Sequence, residues 1–211
     1  MGSVDILRWL RTHFGRRHQS DVLHQPAQVW ESQYAGGKWD YLVQLSELSR
    51  YSLLVGYVCH LQPGGMVLDV GCGQGVLLGR LPSSAFSKYV GIDLSESAVA
   101  AARTLQKGAR SFLVTDCESY TPTELFDVIV FNEVLYYLRD PLAMVERYSR
   151  SLNDGGVRLV SMCSAARGAG PILERLRAEY SVVDATRLIH GETRLSWDCA
   201  ALRPKSSRVP E

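Results

Sequence analysis

Three short features in this chain have residue types and spacing suited to chemistry. The first is Val67-Leu68-Asp69-Val70-Gly71-Cys72-Gly73-Gln74-Gly75, an apolar strand running into a turn with glycine at alternate positions. Glycines there let the backbone bend sharply and approach a ligand with no Cβ atoms in the way. A dinucleotide fingerprint would place its third glycine at position 76, where Val76 stands, and no Walker Lys-Ser/Thr follows, so pyrophosphate binding is disfavoured. The second feature is Tyr89-Val90-Gly91-Ile92-Asp93, a strand ending in a carboxylate 22 residues after Gly71. A carboxylate so placed can accept both hydrogens of a ribose diol and would repel a ribose phosphate. The third is Thr115-Asp116-Cys117, where Asp116 can accept from an exocyclic amine. Local chemistry offers competing accounts: Asp93 as a cap for a helix starting near Ser95 to Ser97, Asp116 as a turn residue before Ser119 and Pro122, and Cys72 as a small residue filling a tight bend.

From Met66 onward, compact apolar runs (MVLDV, KYVGID, SFLVTD, FDVIVFN, VRLVSMC) alternate with helix-patterned stretches such as ESAVAAARTLQ and DPLAMVERYSRSL. That alternation predicts an α/β fold with a doubly wound, mainly parallel sheet buried on both faces. Two more strands are expected over Val182–Ile189 and Leu195–Leu202. The link His190-Gly191-Glu192-Thr193 between them is too short for a crossover, so they must pair antiparallel. Upstream, Leu42, Leu45, Leu48, Leu53, Val55 and Val58 recur at helical intervals over 41–60 before Pro63-Gly64-Gly65 stops the pattern. Trp30, Tyr34, Trp39 and Tyr41 bracket a break at Gly36-Gly37. The segment Val4–His18 has the spacing of a short amphipathic helix carrying Arg8, Arg11, Arg16 and Arg17; packing on its own domain and a transit role both remain open. The expected division is a helical cap or lid over residues 1–62, a core over 63–203 and a flexible tail over 204–211.

Composition narrows the function classes. The 211 residues hold 23 Lys plus Arg against 22 Asp plus Glu, a net charge of +1, which provides no electrostatic drive toward a polyanion. With 46% apolar residues the chain should fold as a globule of one large domain. The absence of an apolar span of about 18 residues and of a secretory leader leads us to expect a cytoplasmic protein. Five cysteines without a C-x-x-C pair or histidines at zinc spacing suggest reduced thiols and no metal site.

In order and spacing, VLDVGCGQG, GIDLSESAV, TDCES and FDVIVFNEVLYYLRDP resemble the class I S-adenosylmethionine-dependent methyltransferases, over about residues 63–161. The run NEVLYYL is similar to a stretch of ubiquinone-pathway O-methyltransferases and, more closely, of nodulation-type N-methyltransferases acting on amino sugars. The resemblance implies a Rossmann-like seven-stranded sheet with a reversed seventh strand, with S-adenosylmethionine as cofactor and S-adenosylhomocysteine as product. It implies that Asp69 and the turn of Gly71, Cys72, Gly73 and Gly75 lie beside the methionine part. Asp93, with Leu94, would take the ribose and Asp116, with Cys117, the adenine. Asn132 and Glu133 would line the pocket near the sulfonium.

Methyl transfer from a sulfonium is an in-line displacement, so alignment and exclusion of water matter most. Glu133, Tyr136 and Tyr137 are candidates for shaping the methyl channel or orienting the acceptor. Of the five histidines only His190 falls near the expected active-site edge, where a plain hairpin residue is the competing account. The segment Trp30–Tyr41, including Tyr34, and the adjoining helix with Arg50 and Tyr51 form the expected lid. Arg50 is expected to pair with the methionine carboxylate, or else to be a solvated helix charge. Ser164 and Arg167 are expected on the opposite wall. Where the ubiquinone-pathway enzymes have Glu-His, this chain has Tyr136-Tyr137, so no metal requirement is expected. The predicted activity is methyl transfer to nitrogen or oxygen of a small polar, sugar-like acceptor. The rival readings are a catalytically silent cofactor-binding partner and a protein or RNA methyltransferase.

Overall fold

The computed structural model describes residues 25–205; the expected helix over Val4–His18 and the end of the tail lie outside the described residues. Seven strands form one sheet: β1 (Gly65–Val70), β2 (Phe86–Asp93), β3 (Arg110–Val114), β4 (Phe126–Asn132), β5 (Leu152–Cys163), β6 (Ser181–Ile189) and β7 (Ser196–Arg203). Their spatial order is β3-β2-β1-β4-β5-β7-β6. The first five are parallel, and β7 runs antiparallel to both β5 and β6. The short link between the last two strands forces this, as their sequence predicts. The strand order reverses between β1 and β4, and the crevice above that point is where open α/β sheets bind ligands.

Among the described residues six α-helices accompany the sheet: α1 (Ala27–Ala35), α2 (Leu45–Leu61), α3 (Val76–Arg80), α4 (Glu96–Ala102), α5 (Pro141–Ser149) and α6 (Ala169–Glu179). Side-chain alternation along β1 divides the core in two. Leu68 and Val70 face one cluster with Phe131, Tyr148 and Leu176, while Val67 faces the other with Leu54, Val58 and Leu77. Asp69, two residues from Val67, therefore points toward the α2 face.

Of the apolar residues that mark α2 in the sequence, Val58 alone is fully buried. Leu45 is 81% exposed and Leu48 also faces outward. The buried stripe is Glu47, Arg50, Tyr51, Leu54, Tyr57 and Val58, a run of i+3 and i+4 steps. Leu54 and Val58, fully buried, contribute about 1.5–3 kcal/mol each by removal from water. Their docking carries the polar end of the same stripe over the switch point. The helix also begins at Leu45 rather than near 41, because Asp40–Val43 form a separate 3-10 turn.

Candidate active site

One large cavity opens at the carboxyl ends of β1, β2 and β4, covered by α1, the 3-10 turn and the start of α2. Its floor is the glycine turn. Gly71 and Cys72 both donate backbone N–H groups to the carbonyl of Ile92 at 2.9 Å, which ties the turn to β2. Gly73 has φ 52°, and a Cβ there would stand 2.7 Å from the Tyr34 hydroxyl, so the lid and the turn approach too closely for a side chain. Cys72 is buried against the turn, and burial pushes its thiol well above the ordinary range, which leaves it inert as a nucleophile.

Asp93 stands at the end of β2, its Oδ2 accepting from Gly73 N at 2.9 Å and its Oδ1 from Ser95 N at 3.0 Å. Burial raises its pKa, while the backbone N–H groups of Ser95 and Gly73 act against that. The cap of α4 is Ser95, whose Oγ accepts from Ala98 N at 3.1 Å, so the capping account of Asp93 falls away. Asp116 lines the cavity but is exposed, and its Oδ1 accepts from Glu118 N at 2.8 Å, the turn geometry that its neighbours suggest. Its other oxygen keeps acceptor capacity. Leu94 and Cys117 also line the wall.

Two buried polar atoms facing this cavity have no hydrogen-bond partner among the described residues: Oδ1 of Asp69 and Nε of Arg50. The other oxygen of Asp69 accepts from the Tyr89 hydroxyl at 2.5 Å, and burial raises the Asp69 pKa to about 7. Arg50 is not a solvated charge. It is 1% exposed, pairs with Glu47 through Nη2 at 2.7 Å, donates to Asn132 Oδ1 through Nη1, and lies 4.5 Å from the Tyr51 ring centre. A free acceptor and a free donor, both buried, complement an ammonium and a carboxylate, which are the termini of a free amino acid.

Glu133 follows Asn132 at the end of β4 and adopts φ 60°, a left-handed conformation that a residue with a side chain holds at a cost of about 1–3 kcal/mol. Its Oε2 accepts from the Tyr136 hydroxyl at 2.8 Å and from Cys163 N at 3.1 Å, and its Oε1 from Ser161 Oγ at 3.3 Å. Burial raises its pKa to about 7 against the pull of the Arg50 charge. Tyr136 and Tyr137 contact edge to face at 4.5 Å, and Tyr137 meets Trp30 of the lid at 4.6 Å. Trp30 in turn stacks on Trp39 at 5.8 Å.

The lid is also fixed by a group that the sequence did not single out. Glu31 on α1 accepts from Ser95 Oγ at 2.7 Å, from Ser97 N at 3.1 Å and from Ser97 Oγ. The Ser97 and Ser95 hydrogen bonds lower its pKa. The carboxylate thus sits over the first turn of α4, where a helix favours negative charge. Glu47 and Trp197, which also line the cavity, were likewise missed, whereas Tyr51 was expected with the lid and lines it too. The one local signal for the first of these was the opposite charge of Glu47 and Arg50 at i,i+3.

Several expected residues are not at the site. His190 lies in the β6–β7 turn, away from the cavity lining, and its Nδ1 accepts from Thr193 N at 3.2 Å; the imidazole organises the turn and is withdrawn as a catalytic candidate. Gly75 begins α3 with φ 75°, and a Cβ there would meet Ala102 and Leu105 behind the turn, so it shapes the bend without facing the cavity. Ser164 donates to Asp198 at 2.8 Å, and neither it nor Arg167 lines the cavity.

Residues 68–158 match a family described as "Methyltransferase domain". That segment of the chain is similar to a methyltransferase domain. The chain's fold is shared with the N-methyltransferase NodS from Bradyrhizobium japonicum WM9, solved with S-adenosyl-l-homocysteine (TM-score 0.73, 22% identity, 85% of this chain and 98% of that one). It is also similar to a magnesium protoporphyrin IX methyltransferase from Synechocystis PCC 6803 solved with bound SAM (TM-score 0.65, 17% identity, 87% and 100%). Among curated proteins the domain is 33% identical over 106 residues to "Phosphoethanolamine N-methyltransferase 1" of Zea mays, covering 48% of this chain and 21% of that protein. It is 35% identical over 101 residues to a ubiquinone biosynthesis O-methyltransferase of Bradyrhizobium sp. (strain ORS 278), covering 46% and 40%. The chain thus spans well under half the length of these two curated relatives. No described helix is long and apolar enough to cross a membrane.

Proposed function

We propose that this chain binds S-adenosylmethionine and transfers its methyl group to a nitrogen or oxygen of a small polar molecule. The observation that carries the reading is the pair of partnerless buried atoms, Asp69 Oδ1 and Arg50 Nε, on residues that line the same cavity as the glycine turn and Asp93. Together they suit an amino-acid end and a ribose. Arg50 is the one Lys or Arg among the described residues lining the cavity, which leaves a phosphorylated coenzyme little to bind it. The match to a methyltransferase domain supports the same reading.

In this proposal Asp69, Arg50 and the Gly71–Gly73 turn hold the amino-acid end, Asp93 and Leu94 the ribose, and Asp116 and Cys117 the adenine. When bound, the cofactor supplies an electrophilic methyl carbon. The chain's own residues supply alignment and exclusion of water: Tyr34, Trp30 and Trp39 close the roof, while Asn132, Glu133, Tyr136 and Tyr137 form the wall beside the reacting end. The test is transfer of a labelled methyl group to a panel of amines, sugars and quinols. Transfer by the wild type that falls at least tenfold in Asp93→Ala at subsaturating donor supports the reading, since a hydrogen bond to a charged group is worth about 1.5–3 kcal/mol. Tight cofactor binding with no transfer to any acceptor would favour a silent, sensing role.

A further inference from the structure

The charges on the acceptor side of the cavity narrow the class of acceptor, an inference that rests on the methyltransferase reading above. Sheet order separates the two ends: β1 and β2 carry Asp69 and Asp93, with Asp116 two residues past β3, whereas the ends of β4, β5 and β7 hold Glu133, Cys163 and Trp197 near Glu47 and Arg50 of α2. On this second side two carboxylates face one guanidinium. Its Nη2 is on Glu47 and its Nη1 on Asn132, and the remaining Nε is the donor assigned above to the cofactor's carboxylate. An acceptor bearing a phosphate or carboxylate would meet two buried carboxyl groups and find no second cation among the described lining residues.

A cation meets the opposite situation. Tyr41 and Tyr137 line this part of the wall, and aromatic faces attract ammonium groups, as the Arg50 guanidinium 5.8 Å from the Trp197 ring centre already does. Glu133 is held by the strained backbone at φ 60° and by the Cys163 N–H, which fix the direction of its carboxylate. Oε1 meets the Ser161 hydroxyl at 3.3 Å, so its acceptor capacity is not filled. Strained backbone of this kind concentrates at working sites.

We propose that the acceptor is a cationic amine carrying no phosphate or carboxylate, seated against Glu133 and the aromatic wall, and that Glu133 takes the proton the ammonium must lose. The balance is simple. The ammonium proton moves to the Glu133 carboxylate, which frees the nitrogen lone pair. That pair forms the new N–CH3 bond as the C–S bond of the donor breaks, with the C–S electrons remaining on sulfur as a neutral thioether. The product leaves as a methylated ammonium, and Glu133 returns its proton to solvent.

The test uses protein saturated with S-adenosylhomocysteine and titrated with benzylamine, benzyl alcohol and benzoate, which are similar in size and differ in charge. Binding is read by calorimetry and tryptophan fluorescence. Benzylamine is expected to bind about tenfold or more tightly than benzyl alcohol, with benzoate weakest. Ethanolamine is likewise expected to bind more tightly than phosphoethanolamine, the acceptor in the maize relative's name. Glu133→Gln is expected to erase the preference for the amine while S-adenosylhomocysteine still binds. Equal binding of the three probes, tighter binding of benzoate, or no benzylamine binding at millimolar concentration overturns the amine assignment alone. Failure of S-adenosylhomocysteine to bind overturns the methyltransferase reading as well.

Discussion

Replacing Glu133 by glutamine should make the protein more stable in alkaline buffer and leave its stability in acid unchanged. Burial raises this carboxyl from its ordinary 4.5 to about 7, so the folded state holds the proton more tightly than the unfolded chain. The stability this confers is fully present below pH 4.5 and is lost as the pH rises through 7. A shift of that size corresponds to about 3 kcal/mol, an upper estimate for a partly relaxed site. Glutamine cannot ionise, yet its carbonyl can accept from the Tyr136 hydroxyl and Cys163 N, and its amide can donate to Ser161 Oγ in place of the hydrogen bond now accepted from it. Urea unfolding followed by tryptophan fluorescence at pH 5 and pH 8 measures the difference. The variant should match the wild type near pH 5 and exceed it by about 1–3 kcal/mol at pH 8. A difference that does not change with pH would refute the buried-carboxylate reasoning, and a uniformly destabilised variant would show that the three hydrogen bonds need the charge.

Glu31→Gln should loosen the lid by weakening its hold on Ser95 and Ser97, raising the cofactor dissociation constant several-fold in calorimetry; an unchanged constant would show that the aromatic contacts alone close the roof. Arg50→Ala should weaken cofactor binding at least tenfold, because it removes the donor and leaves Glu47 buried without its partner. His190→Ala should leave kcat and KM unchanged in the labelled-methyl assay, since the ring serves the β6–β7 turn. A large loss of kcat with normal folding would restore it to the chemistry.

The sheet was legible in the sequence because its signals are local. Each of the first five strands contains a compact apolar run, and the four-residue link after Ile189 leaves a single way to pair the last two. The turn at Gly71–Gly75 and the strand-end position of Asp93 are local too. What could not be read depends on docking. The conspicuous leucines of α2 suggested its inward face, but the stripe through Arg50 and Leu54 is the one that meets the sheet, carrying the Arg50 guanidinium into the interior. Glu31 reaches Ser95 and Ser97 across more than 60 residues of chain, so no spacing rule could pair them. The left-handed backbone of Glu133 is likewise set by its tertiary anchors, Ser161 and Cys163, and nothing in Asn132-Glu133-Val134 announces it.

The central claim is tested most directly by calorimetric titration of the purified chain with S-adenosylhomocysteine and, separately, with NAD+, repeated for Asp69→Asn. Saturable one-to-one binding of the first, none of the second, and a clear loss of affinity in the variant are the results expected of a cavity whose buried carboxylate awaits an ammonium. Binding of NAD+ in preference, or a variant that binds as well as the wild type, would contradict it.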